Sequence, residues 1–182
     1  MATICSLRPN VTQNEAIACF QRTAIAARVH SFLSGPLRSV APFFIPFYLY
    51  EVEIDNRGTR QSQLMAIDAM TASFDPYSFG QDFRADHLVK VTTRNFPAIT
   101  ISVEAGQALM IEKVRRAIFR TGFFRIQDFE IRATYVPVQF HVPYWVGFFG
   151  RGNSARIEVL DAVRRRFEGA RVKTCIRDWL QS

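Results

Sequence analysis

With 182 residues, 48% of them apolar and 13% aromatic, the chain has enough to bury for one domain or for two small halves sharing a core, which excludes disorder. No run approaches the roughly 20 apolar residues that span a bilayer, because the longest, Val40 to Tyr50, is broken by Pro42 and Pro46. The net charge of +7 is lopsided: residues 1–102 carry 9 Lys+Arg against 8 Asp+Glu, and residues 103–182 carry 14 against 8.

The three cysteines, Cys5, Cys19 and Cys175, are odd in number and have no short paired spacing. That reads as reduced thiols, neither a disulfide framework nor a zinc knuckle. Met1 to Asn10 lack the charged start, apolar block and small-residue cleavage site of a secretory signal. The expectation is a cytoplasmic protein with no membrane span.

In chain order, Thr12-Gln13-Asn14-Glu15 is a capping box, since Thr12 can accept from a free helix N–H while Glu15 reaches back. It predicts a helix from about Gln13 to Leu33, closed by Ser34-Gly35-Pro36. Phe43 to Ile54 has strand composition. Its later part alternates, with Tyr48, Tyr50, Val52 and Ile54 on one face and Glu51, Glu53 and Asp55 on the other. Asp55 to Gly58 predicts a hairpin turn, Ser62 to Ile67 the return strand, Asp68 to Thr71 a second turn, and Ser73 to Phe74 a short strand. A further strand is expected at Leu88 to Thr92.

The order then repeats. Ser102 stands where Thr12 stood, and a helix is predicted from Val103 to Arg120, stopping at Thr121-Gly122. Its apolar stripe is Val103, Met110, Ile111, Val114, Ala117 and Ile118, with Lys113, Arg116 and Arg120 on the far side. Strands follow at Arg125 to Thr134, Gln139 to Phe149 and Ala155 to Leu160, with turns at Gly150 to Asn153 and Asp161 to Arg165. Lys173 to Gln181 predicts a closing helix.

Ile45-Pro46-Phe47, Ile67-Asp68-Ala69 and Phe74-Asp75 match Val142-Pro143-Tyr144, Leu160-Asp161-Ala162 and Phe167-Glu168, so the chain reads as a duplicated unit. The expected fold class is α+β: two repeats of one helix followed by an antiparallel β-meander, helices packed on the sheets. Residues 1–80 form the first repeat, 81–100 the connection, and 101–182 the second with its short C-terminal helix.

The helix openings Val11-Thr12-Gln13-Asn14-Glu15-Ala16 and Ile101-Ser102-Val103-Glu104-Ala105-Gly106, with the meander endings at Asp68 and Asp161, resemble tandem PepSY-like α+β repeats of uncharacterised bacterial proteins. The family's ending is Val-Asp-Ala-x-Thr-Gly, and here Ala72 and Arg165 replace its glycine. The turn geometry is therefore expected to differ. The resemblance implies a non-catalytic interaction module.

Asp68 and Asp161 form a tempting acid–base pair, yet their equivalent turn positions favour local backbone bonding. His30, His87 and His141 lack metal-ligand spacing, and no phosphate loop, nucleophile elbow or Cys-x-x-Cys is present. No catalytic residue, cofactor or metal ligand is assigned. Two surfaces are candidates. Lys113, Arg116, Arg120, Arg164, Arg165 and Arg166 could hold a polyanion through forked guanidinium donors. The adjacent pairs Phe43-Phe44 and Phe148-Phe149 place aromatics on both faces of a strand, and with Trp145 they mark a protein-interaction or self-association face. The expected function is a non-enzymatic protein-interaction or scaffolding module, with nucleic-acid or other polyanion binding as the rival.

Overall fold

A computed structural model describes residues 1–26, 35–56, 58–80, 83, 85–120, 129–150 and 156–181. Among them lie β1 (Ala2–Leu7), α1 (Gln13–Ala26), β2 (Leu37–Asn56), β3 (Thr59–Asp68), β4 (Tyr77–Gly80), β5 (Leu88–Thr93), α2 (Val103–Arg120), β6 (Phe129–Phe149), β7 (Arg156–Asp161), β8 (Arg166–Phe167) and α3 (Ala170–Gln181), with a 3₁₀ turn at Ala85–His87. The first helix starts where its capping box directs. Thr12 N donates to Glu15 Oε2 at 2.8 Å, and Glu15 N donates to Thr12 Oγ1 at 3.4 Å. The bonds that Thr12 N and Thr12 Oγ1 donate to Glu15 Oε2 hold that carboxyl below its ordinary range. Ser102 Oγ accepts from Ala105 N at 3.2 Å and caps α2 in the same way. The expected continuation of α1 to Leu33, its stop at Ser34, the stop of α2 at Thr121 and the turn tip at 151–153 lie outside the described residues.

The fold is not the expected pair of helix-plus-meander repeats. Among the described residues strand accounts for 49% and helix for 28%, in an eight-stranded mixed sheet. The main order is β4-β3-β2-β6-β1-β5, with β7 and β8 branching from β6. The pairing of β1 with β6 is parallel, Ser6 opposite His141. A meander is all antiparallel, so this strand alone rules it out. The strand expected at Ser73 to Phe74 is absent, and β4 forms at Tyr77–Gly80 instead. The two strands expected around Val136-Pro137 are one, β6, 21 residues long.

The expectation fails chiefly because each long strand runs from one compact unit into the other. One compact unit comprises Met1–Ile45, Val89–Pro97 and His141–Ser182; the other comprises Pro46–Leu88 and Ala98–Phe140. Both β2 and β6 begin in one unit and end in the other. As a result α2 packs on the hairpin that follows α1 in sequence, and α1 packs on the hairpin that follows α2.

In the unit built on α2, Tyr48, Tyr50, Val52, Ile67, Ala69, Ala72, Met110, Val114, Ile131 and Ala133 form one buried cluster. The face of β2 that alternation assigned to the core is indeed buried from Tyr48 to Val52, while Glu51 and Glu53 are exposed. Hairpin β2–β3 is in register from Phe47↔Asp68 to Asn56↔Thr59, and Gly58 takes φ +84° at its turn. The unit built on α1 has its own cluster of Val11, Ala16, Phe20, Phe149, Leu160 and Ala162. Hairpin β6–β7 runs in register from Tyr144↔Asp161 to Phe149↔Arg156.

Ala72 has φ 51° and Arg165 has φ 57°. Both hold the left-handed conformation that a glycine would adopt without strain.

Candidate functional site

The buried carboxylates are anchors of local backbone. Asp68 is fully buried; its Oδ1 accepts from Thr71 N at 2.8 Å and Ala72 N at 2.9 Å, and its Oδ2 from Phe74 N at 3.0 Å. Asp161, also fully buried, accepts from Val163 N at 2.8 Å and Arg164 N at 2.7 Å. The two belong to different compact units.

Among the histidines, His30 lies outside the described residues. His87 is exposed beside Asp86 at 4.0 Å. His141 is buried, with Nδ1 3.1 Å from the Cys5 carbonyl oxygen and its ring edge-on to Phe96. Burial pushes its imidazole below the ordinary value, and the bond to the carbonyl partly offsets that. The Cys5 thiol is exposed, and those of Cys19 and Cys175 are half-buried. Among the described residues no group of three His, Cys, Asp or Glu side chains converges to hold a metal.

The basic set is divided. Lys113, Arg116 and Arg120 belong to one unit, and Arg164, Arg165 and Arg166 to the other. Lys113 is half-buried and donates to the Phe74 carbonyl at 2.8 Å, so it is not on the far side of α2 as expected. Arg116 pairs with Glu112 one turn earlier, and Arg120 is exposed. Arg164 is half-buried. Arg165 bonds the Asn10 carbonyl and Glu15, and Arg166 pairs with Glu168 at 3.4 Å. Burial pushes the Glu168 carboxyl up despite that arginine.

The aromatic set is covered in part by the chain itself. Phe43, Phe44 and Phe149 are buried, and Trp145 and Phe148 are half-buried. Phe43 meets Trp179 of α3 edge-on at 4.9 Å, and Phe149 meets Phe20 of α1 at 6.0 Å. Trp145 Nε1 donates to the Val11 carbonyl at 2.8 Å. Phe43 and Phe149 therefore serve packing within one unit, each against an aromatic ring of a helix.

A concave surface suited to a ligand lies elsewhere among the described residues. Between α2 and the β2–β3 hairpin runs a groove of about 310 Å³, walled by Ile54, Met65, Val114, Ala117 and Ile118. Gln63, Pro76 and Lys113 complete its lining. Its size stands at the lower end of the roughly 300–1,000 Å³ range of ligand sites, and its lining is mostly apolar with few polar groups. Sequence reasoning named Val114, Ala117 and Ile118 only as core stripe. The available signal was the breadth of that stripe: Val114 is buried, but Ala117, a turn away along the same stripe, is exposed. Comparison of the chain with protein-family models, curated proteins and solved structures finds no match.

Proposed function

We propose that this protein acts without chemistry of its own, as a protein-interaction or scaffolding module. The observation that carries the reading is the apolar groove beside α2, which has a wall of aliphatic side chains and a lysine whose stem is half-buried at its margin. Such a surface suits an apolar peptide segment better than a polyanion, because its polar groups are few and Lys113 already donates to a backbone carbonyl. The resemblance of the helix openings to PepSY-like repeats points the same way. So does the engagement of Asp68 and Asp161 with backbone N–H groups, which leaves their oxygens committed to turns.

The test is selection of peptides from a displayed random library on the folded protein, followed by fluorescence anisotropy with each selected peptide. Ala117→Asp puts a carboxylate into the groove at an exposed helical position and should weaken binding by about tenfold or more. Peptides that bind the variant as well as the wild type would remove the groove as the site. Tight binding of mixed-sequence RNA or DNA, falling steeply between two salt concentrations, would establish the polyanion reading in its place.

A further inference from the structure

The contacts that join one sequence half to the other are made twice, by equivalent residues. Thr100 N donates to the Ala69 carbonyl at 3.0 Å, and Asn10 N to the Ala162 carbonyl at 2.7 Å. The Thr100 hydroxyl bonds the Met70 carbonyl, and Asn10 Nδ2 bonds the Val163 carbonyl at 2.9 Å. Tyr48 Oη donates to the Ile101 carbonyl at 3.0 Å, just as Trp145 Nε1 donates to that of Val11; each acceptor immediately precedes a helix cap. Within each unit, then, the start of a helix from one half is seated on the aspartate turn and the aromatic strand of the other half.

One position breaks this equivalence, and it does so reciprocally. On α2, Gly106 faces Tyr50 of β2, and a Cβ at 106 would meet the Tyr50 hydroxyl at 2.5 Å. At the matching strand position of the other unit stands Gly147, where a Cβ would come within 3.1 Å of the Phe20 ring of α1. Each unit thus has one large side chain against one glycine, with the large one on the strand in one case and on the helix in the other.

We propose that the two halves of this chain are mutually specific binding partners, and that Tyr50 with Gly106 and Phe20 with Gly147 set that specificity. The strand of the first half, carrying Tyr50, fits the helix carrying Gly106 and overfills against its own helix, which carries Ala16 and Phe20 at the equivalent positions. The strand of the second half, carrying Gly147, fits Phe20 and leaves a void against its own helix with Gly106 and Met110. Unlike halves pair well, and like halves pair badly in opposite senses.

The test uses the full chain with a protease-cleavage sequence inserted between Gly80 and Ala85, folded first and then cut. The cut protein should keep its circular dichroism and migrate as one species of full mass; separation or unfolding of the pieces overturns the proposal. After denaturation and refolding of the cut mixture, native mass spectrometry should find unlike pairs in excess over like pairs by about tenfold or more. Comparable amounts of like pairs overturn it. Exchanging the two strand residues, Tyr50→Gly with Gly147→Tyr, should reverse the preference toward like pairs, and an unchanged preference removes these residues as its determinants. Should that variant fail to refold, the wild-type ratio still decides whether the halves are mutually specific. Gly147→Ala alone, a smaller change, should then lower the unlike excess.

Discussion

Ala72 and Arg165 share one left-handed backbone conformation, φ 51° and 57°, each four residues after a fully buried aspartate. Non-glycine residues pay roughly 1–2 kcal/mol to hold it, and β-branched residues are excluded more strongly. At position 72, replacement by glycine relieves that strain but loses a buried methyl and loosens the unfolded chain. Ala72→Gly is therefore expected within about 1 kcal/mol of wild type, and Ala72→Val destabilised by about 2 kcal/mol or more. Urea titrations check both. A well-tolerated valine would contradict the turn geometry.

Tyr50 and Gly106 should be thermodynamically coupled. Gly106→Ala forces a methyl against the Tyr50 hydroxyl and is expected to cost about 1–3 kcal/mol. With Tyr50→Phe the hydroxyl is gone, and the nearest remaining atom of that ring lies 3.5 Å from the new Cβ, an ordinary contact. The cost of Gly106→Ala in that background should fall to less than about half, read as a double-mutant cycle. Additive effects would mean that the two side chains do not meet.

Asp68 organises a turn through three backbone N–H groups, all of which lose their acceptor in Asp68→Ala. With charge-assisted bonds replaced by unsatisfied donors, a loss of about 3 kcal/mol or more is expected. Asp68→Asn keeps one acceptor oxygen and should fall between. A loss under about 1 kcal/mol for the alanine variant would indicate that water replaces the carboxylate.

Stability should fall on mild acidification because of His141. Its folded value is depressed by burial, so the unfolded chain takes up the proton first as pH falls below about 6.5. Stability from this group is complete above that pH and declines below it until the folded imidazole also protonates. The drop in Tm between about pH 7.5 and 5.5 should be smaller for His141→Gln than for wild type. Equal drops would show that His141 is as readily protonated folded as unfolded.

Much of the local structure was legible in the sequence. Thr12 and Ser102 mark helix starts through bonds within one turn, and Asp55 to Gly58 fixes a hairpin through a bond from Gly58 N to Asp55 Oδ1 at 2.9 Å. The buried face of Tyr48, Tyr50 and Val52 follows from strict alternation. What escaped was the choice of partner. The pattern on α2 states that one face is apolar; it does not state whether Tyr48 or Trp145 will cover it, because both strands present the same Pro-aromatic signal. The parallel strand β1 also escaped: its buried Ile4, Ser6 and Leu7 are too few and too mixed to announce a period. Separate strands were expected to Thr134 and from Gln139, yet one strand runs through Pro137 between them. The groove was hidden for a similar reason, since Ile54 and Met65 are apolar residues of a hairpin whose incomplete cover is a tertiary matter.

The exchange of helices between hairpins is the claim on which the account of this fold rests, and nuclear Overhauser contacts of two aromatic side chains test it most directly. Tyr48 should show contacts to Ile101 and Tyr135, and the Trp145 indole N–H to Val11, following the bonds at 3.0 and 2.8 Å and the edge-on Tyr48–Tyr135 pair. If instead Tyr48 contacts Val11 and the Trp145 indole contacts Ile101, each helix packs on the hairpin that follows it in sequence, and the exchanged arrangement is wrong.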